Sequence, residues 1–273
     1  MIRDTHEGLK AEPGGRAASG GPPAGGSYGK TGIWLIGARG SVATTAVTGL
    51  AAIASRLVKP LGCVTEQDAF HGVSLPDYAD LVVGGHDISG VSILKRAEKL
   101  AEAGMIPGHL LESVRSQLQD ADGRVRPGYD PAGAPEPQSE AIRRLSGDIL
   151  AFKAAHGLRR VIVLDVASTE APPVQLDEYS DPGLLEKALN DPERSVLPAS
   201  SVAAGAAVLA GSPYICFTPS TALNIPALYE LAGASRVPTA GQDGKTGQVW
   251  LRSVLAPALS ARGLHVLSWA GTS

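Results

Sequence analysis

The sequence predicts an α/β protein in which helices cover both faces of a mostly parallel β-sheet. Short apolar segments rich in β-branched residues alternate with longer segments whose apolar residues recur at helical spacing. The segment 160–165, Arg-Val-Ile-Val-Leu-Asp, lacks polar alternation and is typical of a strand buried on both faces. Glycines and short polar residues follow several of the apolar segments, at the strand ends where such sheets bind ligands.

The first half of the chain supplies the early strands and a turn that starts a helix. Residues 33–36, Ile-Trp-Leu-Ile, predict a strand. Ser41 follows a glycine turn and is the expected cap of a helix that runs toward Leu57. A candidate second strand covers 61–64, and another apolar run at 81–83 ends at a Gly-Gly pair. Helical spacing then predicts helices over 91–103 and 108–118.

The second half alternates helices and strands more regularly. Glycine and proline are frequent over 120–138, which predicts a mobile loop. A helix over 139–155 leads into the buried strand at 160–165. Spacing and composition predict further helices over 182–190, 199–210, 222–232 and 246–262, strands over 214–217 and 264–268, and a strand or loop over 236–240.

Composition excludes several classes of protein. A net charge of −3 with 19% charged residues argues against a polybasic nucleic-acid binder. Two cysteines exclude a disulfide scaffold, and together with six scattered histidines they show no metal-ligand spacing. No apolar run reaches the roughly 20 residues of a membrane span. We therefore expect a cytoplasmic protein with a small-molecule ligand and no nucleic-acid or membrane partner.

The turn Gly37-Ala38-Arg39-Gly40 lies between the first strand and its helix. Gly37 allows a sharp turn, Gly40 allows close approach of a pyrophosphate, and a helix from Ser41 would direct free N–H groups at that anion. The turn departs from G-x-G-x-x-G because Arg39 stands where a second glycine could be. The alternative is that the glycines only shape the turn. For the ribose acid expected about 20 residues onward, Glu66 and Asp68 are candidates, with solvated carboxylates as the alternative.

Other polar residues also follow apolar segments. Asp87 can accept a hydrogen bond from a sugar hydroxyl or cap a turn, and His86 can act as an acid or base or be simply solvated. Ser168, Thr169 and the segment 218–220 suit ribose or substrate contacts, although small residues at strand ends also make plain turns.

The segment 240–248 is the richest in candidate chemistry. Asp243 lies two residues before Lys245, among three glycines. Such a loop can bind an anion, and Lys245 can neutralise a phosphate or an enolate, or transfer protons if burial lowers its pKa. The alternative is a surface Asp-Gly turn beside a solvated lysine.

Together these segments resemble the myo-inositol-1-phosphate synthase family, particularly its shorter bacterial branch. The matching strings, in the family's order, are IGARGSVATTAV, GGHDIS, VLDVASTEAP, PYICFTPSTALNIPALYELA, AGQDGKTGQVWLRSVLAPAL and RGLHVLSWAGTS. The resemblance implies an isomerase of inositol and phospholipid biosynthesis that uses NAD to convert glucose 6-phosphate into 1D-myo-inositol 3-phosphate. It implies oxidation at C5, intramolecular aldol closure of the ring, and reduction of the ketone.

Composition and the resemblance together divide the chain. Because residues 11–30 are rich in Gly, Pro, Ala and Ser, residues 1–30 are expected to be a disordered leader. Residues 31–240 are expected to form a Rossmann-like NAD-binding domain, and residues 241–273 to begin a second α/β domain for catalysis and oligomerisation. Intact members are homo-oligomers, namely tetramers, and we expect a homo-oligomer here.

Site residues are assigned from the resemblance position by position. The implied NAD contacts are Gly37, Ala38, Arg39, Gly40, Ser41, Val42, Asp87, Ala167, Ser168, Thr169, Thr218, Pro219 and Asp243. The implied catalytic residues are Asp243, Lys245 and Arg252, with Lys245 matching the family's catalytic lysine.

Some positions depart from the family. Cys216 stands where the family often has Asn, Gln242 replaces a charged residue, and Arg252 replaces a second lysine. Arginine does not release its proton at neutral pH, although it binds phosphate. Family members continue beyond the position of Ser273 with further catalytic lysines, so we expect a C-terminally truncated member. Two alternatives stay open: a non-catalytic NAD-binding homologue, and an NAD-dependent cyclase or oxidoreductase for another sugar phosphate.

Overall fold

The computed structural model describes residues 29–133, 135–244 and 247–269. One sheet of six strands organises this part of the chain, with the strand order β3-β2-β1-β4-β5-β6 and parallel pairing throughout. The strands are β1 (Thr31–Ile36), β2 (Leu81–Asp87), β3 (Val125–Pro127), β4 (Arg160–Asp165), β5 (Tyr214–Cys216) and β6 (Thr239–Ala240). This is the order of doubly wound nucleotide-binding sheets, whose ligand crevice opens between the first and fourth strands.

Helices join the strands and cover the sheet. They are α1 (Ser41–Ala54), α2 (Ile93–Glu102), α3 (Gly108–Ser113), α4 (Arg115–Gly123), α5 (Gln138–Ala155), α6 (Pro182–Leu189), α7 (Ala199–Leu209), α8 (Pro226–Ala234) and α9 (Gly247–Ala261). None of the helices in the described ranges is long and apolar enough to cross a membrane.

Two apolar cores lie on opposite faces of the sheet. Helices α1 to α4 pack on one face around Leu35 and Val83, and helices α5 to α8 pack on the other around Trp34 and Val163. The alternation of Trp34 and Leu35 between the two cores follows from the two-residue period of a strand. The predicted α/β class, with a parallel sheet covered on both faces, is therefore confirmed.

Several predicted elements are wrong in detail. Residues 61–63 form turns and Val64–Glu66 a short 3₁₀ helix, so there is no strand at 61–64. Residues 264–268 are irregular. Helix α8 begins four residues later than predicted, and Ser41 is the first helical residue after the N-cap Gly40, without a side-chain cap.

The segment 120–138 is only partly a loop. Helix α4 continues to Gly123, and β3 follows at Val125. Burial explains the difference, because Ala121 and Val125 belong to the core beneath α1 to α4, and the Arg124 Nε donates to the Val83 carbonyl at 2.6 Å. Tertiary packing thus overrides a composition typical of loops.

Candidate functional site

The predicted cofactor contacts lie at or just after the ends of five strands, along one edge of the sheet that we call the carboxyl edge. In sheet order this edge carries Asp87, the turn 37–40, and the loops 166–170, 217–221 and 241–244. These five segments come from distant parts of the sequence, and parallel pairing of the strands brings them into one row.

The β1–α1 turn is fixed by the end of β2. The Gly37 and Ala38 N–H groups both donate to the His86 carbonyl, at 3.0 and 3.2 Å, and the Gly40 N–H donates to the Gly37 carbonyl at 2.9 Å. Gly37 has a φ of 78°, and a Cβ there would lie 2.7 Å from the Ala167 Cα. The first glycine is therefore required both by conformation and by contact with the loop after β4.

The start of α1 supplies the free donors of this turn. The Thr44 N–H donates to the Gly40 carbonyl, so the N–H groups of Ser41, Val42 and Ala43 have no partner within the helix. Ser41 and Val42 are exposed, and a Cβ at Gly40 would meet only the Gly37 carbonyl oxygen. Three amides at the positive end of a helix dipole, reached over a glycine, fit a pyrophosphate group.

Asp87 ends β2 beside this turn. One carboxylate oxygen, Oδ2, accepts from the Arg39 N–H at 2.7 Å, and Oδ1 accepts from the Ser89 N–H at 2.7 Å. A carboxylate has about four acceptor positions, so Asp87 keeps capacity for a ribose hydroxyl. An acid at the end of the second strand is where a doubly wound dinucleotide site places its ribose contact.

Glu66 and Asp68 do not lie at this edge. Glu66 accepts from the Tyr78 hydroxyl at 3.1 Å, and Tyr78 lies in the 3₁₀ turn (Tyr78–Asp80) directly before β2. Asp68 belongs to the adjoining 3₁₀ turn. Both residues are thus near the opposite, amino end of β2, and their assignment as candidate ribose contacts is wrong. The sequence estimate failed because about 25 residues without a strand separate α1 from β2.

The Arg39 side chain contacts protein groups rather than open solvent. Its guanidinium forms an ion pair with Asp122 of α4 and donates through Nη1 to the Ser89 carbonyl at 2.8 Å. Ala38 is buried against β2, where a Cβ on Gly85 would lie 2.7 Å from the Ala38 Cβ. Gly85 is therefore a second glycine on which the turn depends, and only the adjacent Gly84-Gly85 pair could have indicated it.

His86 is a buried strand residue and not the solvated turn residue predicted as its alternative. Its Nδ1 accepts from the Trp34 Nε1–H at 2.9 Å, and its Nε2 lies 3.1 Å from Asp148 Oδ2. Because an indole only donates, Nδ1 carries no proton and Nε2–H donates to Asp148. Burial lowers the pKa of His86, and the Asp148 carboxylate opposes that shift. The His86 ring is thus enclosed by protein, with 2% of the residue exposed, and its backbone carbonyl holds the β1–α1 turn.

Asp165 ends β4 next to the crevice and is 1% exposed. Its Oδ2 accepts from the Tyr214 hydroxyl at 2.8 Å, and its Oδ1 accepts from the Ala167 N–H at 3.1 Å. Burial raises the pKa of Asp165, and the hydrogen bonds from Tyr214 and Ala167 oppose the rise. Asp165 thus orders the predicted cofactor contact Ala167, while Ser168 and Thr169 are exposed at the mouth of the crevice.

A hydrogen-bonded chain links the loop after β4 to the loop after β5. The Glu170 carboxylate accepts from the Ser200 N–H and hydroxyl at the start of α7, and the Glu170 N–H donates to the Ser220 hydroxyl. The Ser220 N–H donates to the Thr218 hydroxyl at 3.3 Å. Thr218 is half-buried and Pro219 is exposed beside it, just beyond the carboxyl end of β5.

The loop 241–244 lies against the loop after β5. The Gly244 N–H donates to the Phe217 carbonyl at 3.1 Å, and the Gln242 side chain donates to the Ser220 carbonyl. Asp243 is exposed. Lys245 lies outside the described residues, directly after Gly244. The catalytic assignments on this loop stay predictions.

A cavity of about 250 Å³ opens beside this loop. Its walls include Tyr214, Cys216, Asn224, Tyr229 and Gln242. Its lining includes amide, hydroxyl and thiol groups, several of which already form hydrogen bonds within the protein.

Arg252 lies in α9, half-buried, and its Nε has no hydrogen-bond partner among the described residues. No hydrogen bond recorded within the described ranges joins Arg252 to the carboxyl edge, so its predicted catalytic role is without support from a contact. The described ranges also hold no group of His, Cys, Asp or Glu residues that could ligate a metal ion.

Known proteins share this architecture. A family model described as myo-inositol-1-phosphate synthase, an NAD-binding domain, matches residues 31–262. Inositol-3-phosphate synthase 1 of Bacteroides thetaiotaomicron is 30% identical over 269 residues, covering 90% of this chain and 61% of that protein. The inositol-3-phosphate synthase of Saccharomyces cerevisiae is 36% identical over 129 residues, covering 46% and 24%.

The solved structure of inositol-3-phosphate synthase from Caenorhabditis elegans shows the same fold. It superposes with a TM-score of 0.66 at 24% identity over 86% of this chain and 53% of that one. The chain thus spans 61% of the Bacteroides relative's length and 53% of the C. elegans chain. Because the family model covers nearly all of the described sheet and its helices, the chain belongs to the myo-inositol-1-phosphate synthase family and carries its NAD-binding domain.

Proposed function

We propose that this chain binds NAD along the carboxyl edge and converts glucose 6-phosphate into 1D-myo-inositol 3-phosphate. One observation carries the proposal: the free amides of α1, the acid at the end of β2 and the loops after β4, β5 and β6 lie in one row. The row matches the polarity of a dinucleotide, with donors for phosphates at the crevice and an acceptor for a ribose beside it. Membership of the family supplies the reaction.

The residues that would hold NAD follow from this row. The N–H groups of Ser41, Val42 and Ala43 would bind the pyrophosphate, and Asp87 would accept from the adenosine ribose. The exposed Ser168 and Thr169, together with Thr218, would line the nicotinamide half. When bound, NAD would accept two electrons from C5 of the sugar and return them to that carbon after ring closure, so the net reaction is an isomerisation.

Lys245 and Asp243 would serve the sugar. Oxidation at C5 makes the C6 proton acidic, and closure then joins C6 to the C1 aldehyde. An ammonium group at the C5 oxygen would stabilise the enolate that forms when C6 loses its proton. Lys245 is the proposed source, because the Gly244 N–H already holds the preceding residue on the loop after β5. Asp243, exposed on the same loop, would hold that ammonium group in place.

The test is a product assay by NMR with NAD and glucose 6-phosphate. We expect glucose 6-phosphate resonances to be replaced by those of inositol phosphate while the NAD concentration stays constant. Lys245→Ala should abolish product without weakening NAD binding, whereas the control Lys59→Ala, an exposed lysine beyond α1, should leave the rate unchanged. Binding of NAD with no inositol phosphate formed would refute the synthase proposal. A homo-oligomer of this chain is part of the same proposal, and its mass in solution is the corresponding measurement.

A further inference from the structure

The adenosine end of the carboxyl edge holds a carboxylate and a guanidinium side by side. Asp87 accepts from the Arg39 N–H, and the Arg39 guanidinium donates to the carbonyl of Ser89, two residues beyond Asp87. In doubly wound folds an acid at this corner binds the free ribose 2′-hydroxyl of NAD, whereas an arginine there accommodates the 2′-phosphate of NADP. The two side chains at this corner therefore favour opposite cofactors.

A second carboxylate, that of Asp122, pairs with Arg39. Asp122 of α4 accepts from Arg39 Nε at 2.9 Å through Oδ1 and from Arg39 Nη2 at 3.3 Å through Oδ2. Both side chains are mostly buried, with 21% and 22% of their surface exposed. A two-pronged pair of this kind is among the stronger and more directional charged contacts. Each of the three guanidinium nitrogens of Arg39 thus has an acceptor within the protein.

Helix α2 holds the Arg39–Asp122 pair in place. The Ile93 N–H, at the start of α2, donates to Asp122 Oδ1 at 2.9 Å, and Arg96 Nε donates to the Arg39 carbonyl at 3.2 Å. Arg96 of α2 thus also contacts this corner, through a hydrogen bond to the backbone of the turn. With Arg39 paired to Asp122, the Asp87 carboxylate accepts from two backbone N–H groups and forms no ion pair within the part of the chain that the structure describes.

We propose that Asp122 is a specificity-determining residue: by holding Arg39 away from the ribose, it makes the chain select NAD over its 2′-phosphorylated form. The proposal rests on the proposed function, since it presumes that NAD binds at this edge. A 2′-phosphate would meet the Asp87 carboxylate while the Arg39 guanidinium is held by Asp122, and like charges at short range oppose binding. Release of Arg39 would supply a cation for that phosphate.

The experiment compares dissociation constants for NAD and NADP by calorimetric titration. Asp122→Asn removes the charge and keeps the Oδ1 acceptor for the Ile93 N–H. We expect this variant to shift the ratio of the two constants toward NADP by about tenfold, as loss of a charged hydrogen bond implies. Arg39→Met in the Asp122→Asn background should return the ratio to the wild-type value, because the effect passes through Arg39.

A matched control removes a carboxylate elsewhere. Glu112→Gln breaks the exposed ion pair with Arg115 on α3 and α4 and should leave the ratio unchanged. An unchanged ratio in Asp122→Asn, with NAD still bound, would overturn the inference alone, and so would a shift that persists without Arg39. A wild-type chain that binds NAD and NADP equally would also overturn it. A wild-type chain that binds neither dinucleotide would refute the proposed function and this inference with it.

Discussion

Alanine substitution at two glycines of the β1–α1 turn should affect different properties: stability at Gly37 and NAD affinity at Gly40. Gly37 has a φ of 78°, and its new Cβ would lie 2.7 Å from the backbone Cα of Ala167. A left-handed conformation costs a non-glycine residue about 1–2 kcal/mol, and forced overlap with the backbone costs about 1–3 kcal/mol more. We therefore expect Gly37→Ala to lower the free energy of unfolding by about 2–5 kcal/mol.

Gly40→Ala is the matched control within the same turn. Gly40 has a φ of −69°, and its Cβ would meet only the Gly37 carbonyl oxygen, at 3.1 Å. The stability should change by less than about 1 kcal/mol. The methyl group would however stand before the free amides of α1, and we expect NAD affinity to fall by about tenfold.

Urea-induced unfolding and NAD titration of both variants separate these effects. We expect an unstable Gly37→Ala and a stable Gly40→Ala with weakened NAD binding. Gly37→Ala with wild-type stability would refute the strain argument. Gly40→Ala with unchanged NAD affinity would refute the assignment of this turn to the pyrophosphate, and Gly40→Asp, which adds a carboxylate there, makes that second test more severe.

Three further predictions concern the buried groups behind the site. His86→Leu should lower the free energy of unfolding by about 1–3 kcal/mol, because it leaves the Trp34 Nε1–H unpaired. In urea unfolding, the double variant Trp34→Phe/His86→Leu should be less destabilised than the sum of the single variants. Additive losses would contradict the hydrogen bond between the two side chains. Because burial lowers the pKa of His86, the unfolded chain binds more protons than the folded chain near pH 6. The contribution of His86 to stability is therefore full above pH 6.5 and falls below it, by at most about 1.4 kcal/mol per pH unit. A His86→Leu chain whose stability has the same pH slope between pH 7 and 5.5 would refute this. Asp165 has a raised pKa, so its charged form destabilises the folded chain above that pKa, and this cost is relieved as pH falls toward 3.8. Asp165→Asn should keep stability within about 1 kcal/mol at pH 7, whereas Asp165→Leu, which leaves the Ala167 N–H and Tyr214 hydroxyl unpaired, should lose more. Equal losses in thermal unfolding would contradict the assigned hydrogen bonds.

The sequence predicted β1, β2, β4 and β5 because these strands are short apolar runs between helical segments. β1 contributes buried residues to both cores, and β4 and β5 contribute buried residues to the core beneath α5 to α8, so composition alone marks these strands. β2 was predicted to end at its Gly-Gly pair, yet it continues through His86 to Asp87. Glycine there is required by contact with Trp34 and the β1–α1 turn and does not signal a strand end.

The site was predictable where residues are placed by a strand end, and not where side chains meet across the fold. Asp87, Ala167 and Thr218 follow strands, and the parallel order brings them to one edge. Asp122 and Asp148 lie on helices, 83 residues from Arg39 and 62 residues from His86 respectively. No local pattern records such partners, because they depend on how α4 and α5 pack against the sheet.

The most direct test of the account is the amide NMR spectrum of the isotope-labelled chain during NAD titration. We predict that the N–H signals of Ser41, Val42 and Ala43 shift downfield most strongly, since these groups would acquire a phosphate oxygen as acceptor. Saturation with NAD while these three signals stay in place would show that the dinucleotide binds elsewhere and would contradict the account.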